Sequence, residues 1–191
     1  NASKKMSEYS ELLARRTISL IPDGIYSATD VMDGDGLGNN DVIISATIIV
    51  NGECVKVNFE GTAQSVSGNI NCPVSVTAAA VYYVFYALMP RETPACYGSL
   101  KPIIIEAPKG CLVNATAPSA CAAGNVETSQ RIVDVLLLAL SKAIPDRIPA
   151  SSQGTMNNLA MGNQCWDYYE TIGGGTGGHS CLLYTSDAAD E

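Results

Sequence analysis

Gly124-Asn125-Val126-Glu127-Thr128-Ser129-Gln130-Arg131, with the apolar run Ile132 to Leu140 behind it, is the stretch on which the fold turns. Asp134 is the only charge in that run, among Val133, Val135, Leu136, Leu137, Leu138 and Leu140. Hydrophobicity on nearly every side predicts a buried helix over about 126–143. Asn125 has the chemistry of an N-cap, and Glu127 falls in the first turn, where the helix dipole favours an anion. Ile144-Pro145 closes the helix, because a residue before proline avoids the α region. A buried helix that opens with Asn, Glu, Thr, Ser, Gln and Arg either caps itself thoroughly or lines a site, since buried polar groups must find partners.

Outward from that helix the chain reads as mixed α+β with a mainly antiparallel sheet. The clearest local signal is the run from Val42 to Val50, then Asn51-Gly52, then Cys54 to Phe59. It predicts a hairpin over 42–59 with a type I′ turn at Asn-Gly. Val55, Val57 and Phe59 alternate with Lys56, Asn58 and Glu60, so one face of that sheet is wet. Pro73 suits a first helical position, and the segment from Val74 to Met89 predicts a second buried helix over about 73–89, with Tyr82, Tyr83, Phe85 and Tyr86 as core. Ser7 to Ser19 has the spacing of an amphipathic helix, stopped by Pro22-Asp23-Gly24. Ile25 to Met32, Lys101 to Ala107 continuing through Cys111-Leu112-Val113, Ile148 to Ser152, and Thr171-Ile172 read as strands. The segment Asp33 to Asn40 faintly suggests a calcium loop, but Leu37 and Ile44 occupy ligand positions, and turn chemistry is the better reading.

The chain has 191 residues, 47% of them apolar, with a formal charge of −8. That is one domain's length with enough apolar material for a core. The charge argues against nucleic acid or an anionic membrane as partner. The longest apolar run, Ala78 to Met89, is too short to span a bilayer. Seven cysteines without a C-x-x-C pair fit reduced thiols in a cytoplasmic protein, buried and inert, better than a disulfide framework or a zinc site. Both ends read as cut. Residues 181–191 resemble the translation of a transposon-end sequencing adaptor, which leaves 1–180 as the native fragment.

The single histidine is His179, so no His-based triad, metal pair or Cys–His dyad lies before Gly178. The run Gly173 to Gly178 is no P-loop, since no Lys follows; it is either a flexible loop or a backbone amide cradle. Three polar clusters remain: Asn125 to Arg131, Gln153 to Asn158, and Tyr168 to Thr171. Each lies where an apolar element meets a loop. Their amides, hydroxyls, carboxylates and guanidinium can polarise a carbonyl and orient an amide, or can satisfy one another at a domain or subunit seam.

Six ordered motifs carry a resemblance. They are Ile21-Pro22-Asp23-Gly24, Asn58-Phe59-Glu60-Gly61-Thr62, Gly68-Asn69-Ile70-Asn71-Cys72-Pro73, Gly124 to Arg131, Gln153 to Asn158, and Tyr168-Tyr169-Glu170-Thr171-Ile172-Gly173-Gly174-Gly175. In this order, over about 7–178, the sequence resembles the hydantoinase B family. That family includes the B component of ATP-dependent hydantoinases, the C-terminal part of 5-oxoprolinase and the α subunit of acetone carboxylase.

The resemblance implies the B component of an enzyme that opens hydantoin or 5-oxoproline rings. It works with an A-type subunit or domain that uses ATP. It also implies a divalent metal in the full-length protein, held by a His- and Asp-rich motif outside this chain, so the fragment alone is expected to be inactive. Carried over residue by residue, the candidate catalytic groups are Glu127, Arg131 and Glu170. The candidate substrate-binding residues are Asn71, Asn125, Thr128, Gln130, Thr155, Asn157, Asn158, Thr171, Gly173, Gly174 and Gly175. An acetone carboxylase-like subunit and a non-catalytic interface domain of the same fold are the alternatives.

Overall fold

The computed structural model describes residues 2–179; the expected adaptor segment, 181–191, lies outside them. Helix α1 (Ala2–Ile18) leads into strands β1 (Gly24–Gly34), β2 (Asn40–Asn51) and β3 (Cys54–Asn58), then helix α2 (Val74–Leu88) and strand β4 (Ile103–Glu106). A π-helical turn, Gly124–Thr128, runs directly into helix α3 (Ser129–Leu140), and strands β5 (Asn158–Gly162) and β6 (Asp167–Thr171) follow. The main sheet has the order β1-β2-β3-β4. Its first two pairings are antiparallel and β3–β4 is parallel, so the expected mainly antiparallel α+β fold is present.

Strand β2 shows why the sheet has one buried face. Val42, Ile44, Ala46, Ile48 and Val50 are all buried, while the residues between them are not. That is the period-two pattern of a sheet covered on one side. Val55 and Val57 extend the buried face onto β3, whereas Lys56 on the other face pairs with Glu106 at 2.8 Å. Helix α3 lies on β1 and β2 and packs against α2. Its buried residues are Ile132, Val135, Leu136, Ala139 and Leu140, a single helical stripe. Leu138 is half exposed, so the helix buries one face where its composition suggested burial all round. In α2 the same holds: Phe85 is buried, but Tyr83 faces solvent, and Tyr86 donates its hydroxyl to the Thr93 carbonyl at 2.6 Å.

Several local expectations shift. Asn51 pairs with Cys54, so the two-residue loop is Gly52-Glu53 and not Asn51-Gly52. Only Gly52 has a positive φ, 57°, which is the signature of a type II′ turn rather than I′. Pro73 is the residue before α2, with extended ψ of 149°, and not its first helical residue. Met89, preceding Pro90, is extended and ends the helix. Cys111-Leu112-Val113 does not continue β4 as a strand; it is a buried turn bridged to Gln64. Ile148 to Ser152 is also no strand of the main sheet.

Of the hairpin β5–β6 the sequence marked only the end of β6, at Thr171, because every residue of it is exposed and no alternation marks it. Its pairing runs on beyond the strands. Ile172 N bonds Asn157 O, Gln153 N bonds Gly175 O, and Ala150 N bonds Gly178 O, all at 2.9–3.0 Å. The Gln153 and glycine-run clusters are therefore opposite arms of one long hairpin.

Two buried polar side chains hold the loops beneath α3. Asn71 accepts from Val66 N and donates to the carbonyls of Val66, Gly68 and Ala120, all within 2.9 Å. Asp35 accepts from Asn39 Nδ2 and from the backbone N–H groups of Leu37, Gly68 and Asn39. The Asn39 amide first, then those backbone donors, hold the Asp35 carboxyl down at about 2. A depressed carboxyl adds stability above its unfolded value that is lost as pH falls toward the folded one. Thermal melts of wild type and Asp35→Ala should therefore differ fully above about pH 4 and converge as the pH approaches about 2. A gap that stays constant across that range would refute the assignment.

Candidate active-site cleft

The polar cluster at the head of α3 divides between two hollows. Glu127 and Arg131, four residues apart, line a cleft of about 430 Å³ with Asp33 and Gly34 at the end of β1 and Gln153, Gly154 and Thr155 from the long hairpin. Asn125 and Gln130 instead line a larger groove of about 1010 Å³ between α2 and α3, with Val76, Ala79, Val133, Asp134 and Leu137. Gly154 borders both, so the Gln153–Thr155 segment separates them.

The entry into α3 is not the Asn125-capped start that the sequence suggested. The chain turns in at Ala123 and no side chain caps it; Ser129 N bonds Gly124 O, five residues back, which is the bond of a π turn. Such wide turns recur at functional sites because they re-aim side chains. Gly124 makes the turn possible. A Cβ there would lie 2.2 Å from the Asn71 carbonyl oxygen, so any larger residue would push the helix head off the loop.

Within the cleft, Thr155 Oγ1 is 2.8 and 2.7 Å from the two Glu127 carboxylate oxygens, and its one proton is shared between them. Arg131 Nη1 donates to Asp30 Oδ2 at 2.6 Å. Asp30 Oδ1 in turn accepts Val31 N at 2.8 Å, which fixes the carboxylate. Gly154 has φ of +69°, and a Cβ there would lie 2.6 Å from Asp134 Oδ2 and 3.9 Å from Arg131 Nη2. The hairpin thus approaches α3 closely only because position 154 carries no side chain.

The remaining predicted residues fall elsewhere. Asn71 and Thr128 are buried, and their polar atoms are spent on backbone: Thr128 Oγ1 donates to the Ile70 carbonyl and rests 3.5 Å from Met32 Sδ. They support the cleft from below and do not face it. Asn157 approaches Thr155 at 3.3 Å, while Asn158 and Thr171 bond each other across the hairpin at 2.7 Å. Glu170 is exposed on β6, where it accepts the Tyr168 hydroxyl and raises that group's pKa; it does not line the cleft. The Gly173–Gly175 stretch lies along Gln153, whose side chain fills the space a Cβ at Gly174 would need.

The sequence reading missed Asp30 and Asp33. A signal for Asp30 existed: it shares a strand face with the buried Ala28 and Met32, an acid where alternation calls for an apolar residue. The cysteines also differ from expectation. Burial pushes the Cys72 thiol up to about 11, as an inert core thiol requires, but Cys54 is exposed with Arg15 Nη1 at 3.2 Å. Among the described residues, no three His, Cys, Asp or Glu side chains converge to hold a metal ion. Nor is any helix among them long and apolar enough to cross a membrane.

Asp134 is the one carboxyl here with a raised pKa: burial is the main cause, Arg131 opposes it, and Asp30 adds to it. A raised carboxyl contributes stability in its neutral form below the unfolded value, and that contribution is lost as pH rises through the folded one. Asp134→Asn should therefore melt higher than wild type near pH 7, and the difference should vanish below the ordinary carboxylate value of 3.8. A variant that melts lower than wild type at pH 7 would show that the Arg131 attraction outweighs burial.

Known proteins share this architecture. The family model described as Hydantoinase B/oxoprolinase matches residues 1–182. A 5-oxoprolinase 1 from Arabidopsis thaliana is 35% identical over 93% of this chain and 14% of its own length. The putative B component of a D-/L-hydantoinase from a Pseudomonas species is 30% identical over 99% of this chain and 33% of its own. The crystal structure of the ATP-dependent caprolactamase from Pseudomonas jessenii superposes with a TM-score of 0.70 at 22% identity, over 88% of this chain and 30% of that one, and so shares the fold. The chain thus spans a third or less of the length of these proteins. With six ordered motifs, the fold and a match over nearly the whole chain in agreement, this chain belongs to the hydantoinase B/oxoprolinase family.

Proposed function

We propose that the chain supplies one wall of the active site in the B component of a cytoplasmic ATP-dependent hydrolase that opens a small cyclic amide of the hydantoin or 5-oxoproline type. The partner is an A-type subunit or domain that uses ATP. The names of the relatives support this reading, one being a 5-oxoprolinase and another the putative B component of a hydantoinase. The observation that carries it is the cleft in which Glu127, held by the Thr155 hydroxyl, stands one helical turn from Arg131.

Hydrolysis of a ring amide needs a base for water, a donor for the carbonyl oxygen as it becomes negative, and a proton for the departing nitrogen. Glu127 as carboxylate takes a proton from the attacking water. Arg131 donates N–H bonds to the oxygen as charge builds on it, and charge-assisted bonds of this kind are the strong ones. When the C–N bond breaks, Glu127 returns the proton to the ring nitrogen, leaving a carboxylate with an amine from a 5-oxoproline-type ring or a ureido group from a hydantoin-type ring. The ATP-using partner supplies the driving force for opening an unstrained ring. Thr155 keeps the carboxylate in one orientation throughout, which is where much of a positioned base's advantage lies.

The full-length B component, combined with its A component, tests the reading directly. Glu127→Gln keeps the shape and the Thr155 contact but removes the base. It should lower coupled ring opening by about 10²- to 10⁴-fold, the usual contribution of general acid–base catalysis, with the melting temperature little changed. Turnover within a few-fold of wild type would remove Glu127 from the mechanism.

A further inference from the structure

We infer that Asp30 is a positioning residue for the reaction proposed above: it aims Arg131 into the cleft by fixing one end of its guanidinium. The inference rests on that reaction and adds a residue to it that no motif marked.

Asp30 occupies the middle of β1, paired to Ile44 of the central strand, on the side of the strand that carries the buried Ala28 and Met32. An apolar side chain there would add to the core, so the acid forgoes burial that a Val or Leu would gain. Its two oxygens are both committed, Oδ1 to Val31 N and Oδ2 to Arg131 Nη1. A carboxylate bonded at both oxygens is a rigid anchor. Its partner comes from the opposite element, 101 residues away in sequence, at 2.6 Å.

Arg131 is the group that gains from this. A free arginine side chain has several rotatable bonds, and ordering it costs rotamer entropy. With Nη1 tied to the sheet, that cost is met on folding and not during the reaction. The end-on bond leaves other N–H groups of the fork unspent, and the Nη2 end lies beside Gly154 at the border of the cleft. Arg131 and Asp30 are each about a third exposed, at 29% and 36%. A partly exposed pair contributes little to stability. Holding β1 to α3 therefore explains little of it, since Ile132, Val135 and Leu136 already do that from the buried face. Pre-organisation of the guanidinium is the larger effect.

The test is a double-mutant cycle on the full-length B component with its A component, measuring kcat, KM and melting temperature. Asp30→Asn should lower kcat about tenfold or more with KM nearly unchanged, because an interaction used only in the transition state is lost. Asp30→Glu should recover part of that loss, since it restores a charged acceptor. Arg131→Gln should be more damaging, and adding Asp30→Asn to it should cost no further activity, because the anchor has nothing left to hold. Melting temperatures should move by a few degrees at most in every variant.

Additive losses in kcat, or a kcat unchanged by Asp30→Asn beside a large fall in melting temperature, would overturn the inference and leave a structural bridge. If wild type opens no cyclic amide, the proposed reaction itself fails, and the role of Asp30 falls with it. Wild-type turnover with an insensitive Asp30 would refute only the positioning role.

Discussion

The seating of α3 on the buried face of β2 is the contact on which the other features depend. Ile132, Val135, Leu136 and Leu140 on the helix meet a floor that includes Ile44, Ala46 and Ile48. Each fully buried side chain of that size is worth about 1.5–3 kcal/mol, an upper estimate because the unfolded chain is itself partly collapsed. The polar pairs in the cleft are each worth a fraction of that. Core packing therefore places the helix, and the cleft residues inherit their positions from it. Arg131 and Glu127 stand where they do because the opposite stripe of the same helix is clamped.

The head of the helix is the second constraint. Gly124 passes against the Asn71 carbonyl with no room for a Cβ, and Asn71 spends its whole amide on the loops around it. Thr128 reaches down to the Ile70 carbonyl. These buried bonds fix the π turn that presents Glu127. Polar motif residues can thus shape a cleft without facing it. A buried amide with all its partners met has nothing left to offer a ligand.

A third element closes the cleft from outside the core. The long hairpin contributes Gln153, Gly154 and Thr155, yet its strands β5 and β6 are exposed along their length. It holds to the body through short, specific approaches: Thr155 on Glu127, and the bare backbone of Gly154 against Asp134. Elements with few buried contacts open at low cost. The cleft is thus built from one rigid wall, β1 with α3, and one less stable flap.

The sequence by itself determined the elements whose periodicity is strong. The hairpin of β2 and β3, the helices α2 and α3, the mixed α+β class and the family membership were all legible in alternation, helical spacing and ordered motifs. It placed Glu127, Arg131 and Thr155 among the site residues but grouped them with Asn125, Gln130, Asn71 and Glu170, since residues close in a motif look equivalent on paper. Only the tertiary structure separated them. A helix turns about 100° per residue, so Gln130 and Arg131 face different hollows, and a π turn shifts that phase in a way no propensity reveals. The alternation of β1 marks Asp30 as an acid out of place, but its partner became visible only when β1 was laid beside α3, because Arg131 lies 101 residues away. Local physics wrote the elements; long-range packing decided which side chains meet.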